Sequence, residues 1–188
     1  MLVSGGAGLF FPTASDTFDA VGITGNPVTY SGAVEAVRVF RSLFVRGSVD
    51  YTSETGERVF LTDTGERFPL GIPLDVELMP IEFSAGWRFE GKSPRRSPVV
   101  PYVGGGAGLL LYRETDQFAD ADDEVDERFA SYHLLAGVDL YFHRRVGARV
   151  EYRFRHVPDS LGDRGVSAVT GDTSLGGSVL FFGLVVGR

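Results

Sequence analysis

The 188-residue sequence contains no cysteine, so it can form neither a disulfide framework nor a thiolate metal site. It has no excess of basic residues either. Its 18 Lys and Arg against 25 Asp and Glu give a formal net charge of −7, which argues against nucleic-acid binding. The longest apolar stretch, residues 99–112, holds four glycines and a proline. It is shorter than the roughly 20 residues that a membrane-spanning helix needs.

The first residues, Met1 to Ser4, have no basic segment, so no secretory signal peptide is visible. If the protein is exported, we expect this sequence to be its mature domain. What the chain has in abundance is glycine, at 25 residues, and aromatic residues, at 12% with 15 Phe. Each interior glycine costs a helix about 0.5–1 kcal/mol relative to alanine, whereas aromatic residues favour strands. The composition predicts an all-β protein.

Polar and apolar residues alternate with a period of two along most of the chain, as in strands with two unlike faces. The clearest case is residues 146–156, where charged side chains alternate with Ala, Val, Tyr and Phe. Eight such strands are predicted, at residues 2–11, 28–40, 43–53, 74–90, 100–114, 128–142, 146–157 and 174–187.

The connections between these strands alternate in length. Long ones follow the odd strands, at residues 12–27, 54–73, 115–127 and 158–173. Short ones follow the even strands, at residues 41–42, 91–99 and 143–145. Short periplasmic turns and long extracellular loops are typical of outer-membrane barrels. We therefore predict one domain over residues 1–188, an eight-stranded antiparallel up-and-down transmembrane β-barrel.

The polar faces carry many small residues, which suits the narrow interior of an eight-stranded barrel. These are Ser4, Gly6, Gly8, Ser84, Gly86, Gly104, Gly106, Gly108 and Ser178. Aromatic residues end the apolar faces, as in the girdles at membrane interfaces. We therefore expect the polar faces to point into the lumen. In a soluble barrel or sandwich, which is the alternative, the apolar faces would point inward.

The charges predicted to face inward nearly balance, and buried charges persist only when they are paired. We expect them to form a network that closes the lumen. Its predicted members are Glu35, Arg46, Asp50, Glu82, Arg88, His133, Asp139, Arg149, Glu151, Arg153 and Arg155.

Three segments resemble strands of small outer-membrane barrels of the OmpA/OmpW-like superfamily. They are the glycine-rich residues 5–8, the run Pro-Tyr-Val-Gly-Gly-Gly-Ala-Gly at 101–108, and the paired runs at 136–140 and 149–153. The resemblance implies an eight-stranded barrel in the bacterial outer membrane, with a role in envelope anchoring or permeability. It also implies contact with outer-membrane lipid and lipopolysaccharide, and insertion by the barrel assembly machinery. Many members end in an aromatic residue, whereas this chain ends in Gly187-Arg188.

No cofactor site is predicted. The glycine run at 104–108 continues into a strand, whereas a phosphate-binding loop leads into a helix. Several carboxylates crowd the third long connection. A solvated acidic loop is the preferred interpretation, and weak binding of a divalent cation is the alternative. These residues are Asp120, Asp122, Asp123, Glu124 and Asp126.

No catalytic residues are assigned, but one group could serve a lipid-modifying enzyme. His156, Asp159 and Ser160 lie close in sequence at the predicted outer rim, although a triad is defined by geometry. We expect instead a monomeric barrel with a structural or interaction role in the envelope. A narrow channel for small or hydrophobic solutes and a soluble ligand-binding barrel are further alternatives. Basic residues gather at the short-turn end, namely Lys92, Arg95, Arg96, Arg144 and Arg145.

Overall fold

The computed structural model describes residues 1–20, 23, 25–61, 67–90, 98–116, 125–158, 160 and 174–187. These residues form eight strands and one short helix. The elements are β1 (Leu2–Pro12), α1 (Ser15–Ala20), β2 (Val28–Val37), β3 (Leu43–Leu61), β4 (Arg67–Arg88), β5 (Val99–Asp116), β6 (Val125–Tyr141), β7 (Val146–His156) and β8 (Gly177–Gly187). Each strand pairs antiparallel with the next, and β8 pairs with β1. The predicted closed, eight-stranded up-and-down barrel is confirmed.

Several predicted boundaries are wrong. Strand β3 continues to Leu61 and strand β4 begins at Arg67. Together they include much of the connection predicted at residues 54–73. Strand β2 ends at Val37, three residues early, because Arg38 turns into the left-handed region with a φ of 59°. The helix α1 lies in the connection predicted at residues 12–27 and was not predicted.

The outer surface carries a band of exposed apolar side chains. On β4 and just beyond it, every outward residue from Met79 to Phe89 is apolar. Over these positions, a rise of about 3.4 Å per residue and a tilt of about 40° give a band about 26 Å tall. Exposed aromatic residues edge the band on both sides. They are Phe40, Trp87, Phe89 and Phe142 towards the short turns, and Phe11, Tyr30, Tyr51, Tyr132 and Tyr152 towards the long connections.

Ser178 was predicted to face the lumen, and this is wrong. It lies on the outer face of β8, where its hydroxyl is 2.7 Å from the Tyr152 hydroxyl. The inward residues of β8 are instead apolar, namely Val179, Phe181 and Val185. Both faces of this strand are apolar in sequence, so alternation alone could not orient it.

Towards the long connections the polarity of the two faces inverts. Outside the barrel, Thr55 donates to Asp75 at 2.6 Å and Arg113 lies 3.6 Å from Asp126. Inside, apolar side chains pack under α1 into what we call the upper core. Its members are Phe10, Ala14, Phe18, Ile23, Leu74, Val76, Leu78, Leu110, Val157, Leu175, Val179 and Phe181. Among the described residues, no helix is long and apolar enough to cross a membrane.

Candidate functional site

The candidate site is the charged interior of the barrel below the upper core. The inward faces of β2, β3, β4, β6 and β7 place five arginines, five carboxylates and one histidine there, all at most 5% exposed. We call these eleven side chains the lumen network. They are Glu35, Arg46, Asp50, Glu82, Arg88, His133, Asp139, Arg149, Glu151, Arg153 and Arg155. With His133 neutral, their formal charges cancel.

The half of the network nearer the short turns is organised by Glu35 and Asp139. Glu35 accepts hydrogen bonds from Arg46 at 2.7 and 2.9 Å and from Arg88 at 2.7 Å. Asp139 accepts from Arg88 at 2.5 Å and from Arg149 at 2.7 and 2.9 Å. Arg88 therefore links the two carboxylates, which come from opposite sides of the barrel.

The half nearer the upper core is organised by Arg153 and Arg155. Arg153 donates to Asp50 at 2.7 Å and to Glu82 at 3.1 Å. Arg155 donates to the same two carboxylates, at 2.6 and 2.7 Å. A further bond from Arg153 to Glu151, at 2.6 Å, joins this half to the other. The paired, charge-assisted geometry is the kind that offsets the desolvation of buried ions.

Tyr102 lies at the centre of the network and was not among the predicted members. Its hydroxyl donates to Glu151 at 2.7 Å, and Arg46 donates to the same carboxylate. Three guanidinium groups lie 4.9–5.4 Å from the centroid of its ring, within the range of cation–π attraction. They belong to Arg46, Arg88 and Arg149.

A glycine and a phenylalanine fix the position of this ring. A Cβ atom on Gly137 would lie 2.4 Å from the Tyr102 hydroxyl, so a glycine is needed there. Phe44 meets the ring edge-on, with the centroids 6.0 Å apart. Alternation along β5 could have placed Tyr102 inward, because it shares a face with Gly104 and Gly106.

His133 forms a second arrangement that the sequence did not reveal. Its Nε2 atom lies 2.8 Å from the Ser84 hydroxyl, and its Nδ1 atom lies 3.4 Å from a Glu82 oxygen. This is the Ser–His–carboxylate order of hydrolases. However, the three residues are at most 4% exposed, and Arg155 donates to the same Glu82 oxygen. All three side chains are buried, and the contact with Ser84 fixes the orientation of the histidine ring.

The predicted cation site lies mostly outside the described residues, which include only Asp126 of its five members. Asp126 lies in β6 and forms an exposed ion pair with Arg113. Within the described parts of the chain, no three His, Asp or Glu side chains are grouped so as to hold a metal ion.

The residues considered for an enzyme do not form a triad among the described positions. His156 is exposed at the end of β7, and Asp159 lies outside the described residues. Ser160 is buried, donates to the Val157 carbonyl at 3.0 Å and accepts from the Leu175 amide at 2.8 Å. Its hydroxyl therefore anchors the connection that follows β7.

No protein-family model matches the sequence, and no curated protein is similar to it. Solved structures are similar in fold. Neisserial surface protein A is 19% identical to this chain, with a TM-score of 0.52. The match covers 98% of this chain and 94% of that protein's chain. The N-terminal barrel domain of OprF from Pseudomonas aeruginosa has 11% identity and a TM-score of 0.53, covering 98% and 96%.

A major outer membrane protein from Thermus thermophilus has 14% identity and a TM-score of 0.53, and the match covers 98% of each chain. At these identities, the likeness concerns the course of the backbone and not the residues inside. The lumen network is therefore described from this chain alone. The eight strands of this chain, their antiparallel order and their closure into a barrel are those of the small outer-membrane β-barrels.

Proposed function

We propose that the protein is a monomeric, integral barrel of the bacterial outer membrane, with a structural or interaction role and a lumen closed to solutes. One observation carries this proposal. Ten charged side chains are paired inside the barrel, while the outer surface carries a continuous apolar band. A soluble barrel has the opposite arrangement, because water solvates charges and apolar side chains avoid it.

The exterior supports the membrane location. Soluble monomers rarely expose apolar patches of more than a few hundred Å². Here the exposed side chains include Phe83 at 68%, Leu134 at 67% and Phe182 at 52%, all in strands of the band. The band's estimated height of about 26 Å is close to that of known outer-membrane barrels, at about 25 Å.

The interior supports a closed lumen. Each of the five carboxylates accepts hydrogen bonds from at least two arginines, so opening a path would separate several buried ion pairs. The upper core and α1 close the lumen again above the network. The structural or interaction role would then depend on the outer surface and the long connections, which would contact lipid, lipopolysaccharide or external partners.

The membrane location is tested by purifying the full chain with and without detergent and comparing boiled and unboiled samples on a gel. We expect aggregation without detergent, and a folded band whose migration changes on boiling. A protein that stays monodisperse in plain buffer would overturn the proposal.

A further inference from the structure

The end of the barrel at the short turns carries exposed arginines among exposed aromatic residues. We call this surface the turn rim and define it by residues 38–42 and 142–145 with the aromatic residues beside them. The two turns contain four arginines and one histidine and no acidic residue. Phe40 and Phe142 lie within them, at 68% and 69% exposed, and Trp87 lies at the adjoining end of β4.

Of the four arginines in the turn rim, one is paired with a carboxylate of the described residues. Arg38 pairs with Glu90 at 2.5 Å. Across the described residues, Arg41, Arg144 and Arg145 form no side-chain ion pair, and Arg41 lies over the Phe40 ring at 5.5 Å. The lumen network cannot supply partners, because its carboxylates are already bonded to its own arginines.

The backbone of the first turn provides a second, independent observation. Arg38 and Arg41 have φ values of 59° and 54°, in the left-handed region that glycine and asparagine occupy more easily. Residues other than glycine in such strained conformations cluster at functional sites, including ligand-binding ones. The strained backbone at Arg41 therefore indicates that its side chain has a functional role.

We infer that the turn rim binds the phosphate groups of anionic phospholipids in the leaflet that surrounds the short turns. This inference rests on the proposed membrane location. Aromatic side chains at the edge of the band lie at headgroup depth, so the arginines between them face the phosphate layer. Among the described residues, the opposite end carries Asp75, Glu77, Glu114 and Asp126 beside its arginines, whereas the two turns of the turn rim have no acidic residue and a charge complementary to such lipids.

Trp87 makes a direct test possible, because it is the only tryptophan in the chain. It is paired in register with Leu43, two residues after Arg41, so its fluorescence reports on the lipid around the first turn. The full-length protein is inserted into phosphatidylcholine bilayers that contain phosphatidylglycerol. Either one lipid or the other is brominated, and the quenching of Trp87 gives their relative binding constant.

At low salt we expect phosphatidylglycerol to be favoured about fivefold, which is the contribution of one arginine near an anionic surface. Arg41→Gly should bring the ratio close to one, and it should still fold because glycine suits the left-handed turn. Arg41→Lys keeps the charge and should retain the preference. Arg113→Gln, at the opposite end, is the matched control and should leave the ratio unchanged.

Equal quenching by the two lipids in the unaltered protein would overturn the inference and leave the membrane location intact. A preference that persists in Arg41→Gly would also overturn it. Absence of quenching by either lipid would contradict the membrane location as well, so the two failures are distinguishable. The double variant Trp87→Phe/Phe142→Trp moves the probe to the second turn, where the same preference should depend on Arg144 and Arg145.

Discussion

Glu35 shows how much of the interior depends on a single side chain. It accepts hydrogen bonds from Arg46 and Arg88 and lies 3.4 Å from Arg149, while only 1% of its surface is exposed. Removing its charge leaves three guanidinium groups with one carboxylate fewer. Because the interior excludes water, the uncompensated charge cannot be solvated.

We therefore expect Glu35→Gln, which keeps the shape and removes the charge, to lower the free energy of unfolding by about 3–5 kcal/mol. The matched control is Asp75→Asn, an exposed carboxylate bonded to Thr55, with an expected change within about 0.5 kcal/mol. Urea titration of the protein folded in lipid vesicles measures both. Equal effects of the two substitutions would show that the lumen network does not stabilise the barrel.

Alternation in the sequence was enough to propose the charged members of the network, because charge on one face of a strand is conspicuous. Alternation is compatible with inward positions for Tyr102 and Ser84, but it does not identify them as members of the network. Tyrosine is also common on the outer face at membrane interfaces, and serine is common everywhere. Their roles depend on partners from other strands, such as Glu151 and His133, and one sequence does not show that contact.

At the level of strands, close approach between β4 and β5 explains three of the glycines at residues 104–108, namely Gly104, Gly106 and Gly108. A Cβ atom at Gly106 would lie 1.8 Å from the Phe83 carbonyl oxygen, which is backbone and cannot move aside. Gly32, on the outer face of β2, has nothing within 4 Å of such an atom.

Gly106→Ala should therefore shift the pairing of β4 with β5 and lower the free energy of unfolding by about 1–3 kcal/mol. Gly32→Ala should leave it unchanged or raise it by up to about 1 kcal/mol, since alanine restricts the unfolded chain. Urea unfolding in vesicles distinguishes them. A Gly106→Ala variant as stable as Gly32→Ala would contradict the close approach.

Strand order could be predicted because the connections alternate in length, but the extent of β3 and β4 could not. Beyond the predicted ends at residues 53 and 74, a register shift between Glu57 and Val59 and the positive φ of Gly71 interrupt the period of two. The helix α1 was missed because it has only six residues, too few for a periodic signal, and is held by packing of Phe18 in the upper core.

For the molecule as a whole, the proposed membrane location requires lipid around the band and water beyond it. Phe83 lies midway along the band, while Ser53 is exposed outside it, beyond Tyr51 on β3. Phe83→Arg should lower the free energy of unfolding in bilayers by about 2–4 kcal/mol, whereas Ser53→Arg should change it by at most about 1 kcal/mol. Equal tolerance of both substitutions would indicate that water, and not lipid, surrounds the middle of the barrel.

The closed lumen is the central claim, and the conductance of the full-length protein in planar bilayers tests it most directly. An eight-stranded barrel has room for little beyond its own side chains, and here paired charges and the upper core fill that space. We expect a conductance no greater than that of the empty bilayer, once a gel of the same sample has shown folded protein. Steady, voltage-independent current through single inserted barrels would contradict it.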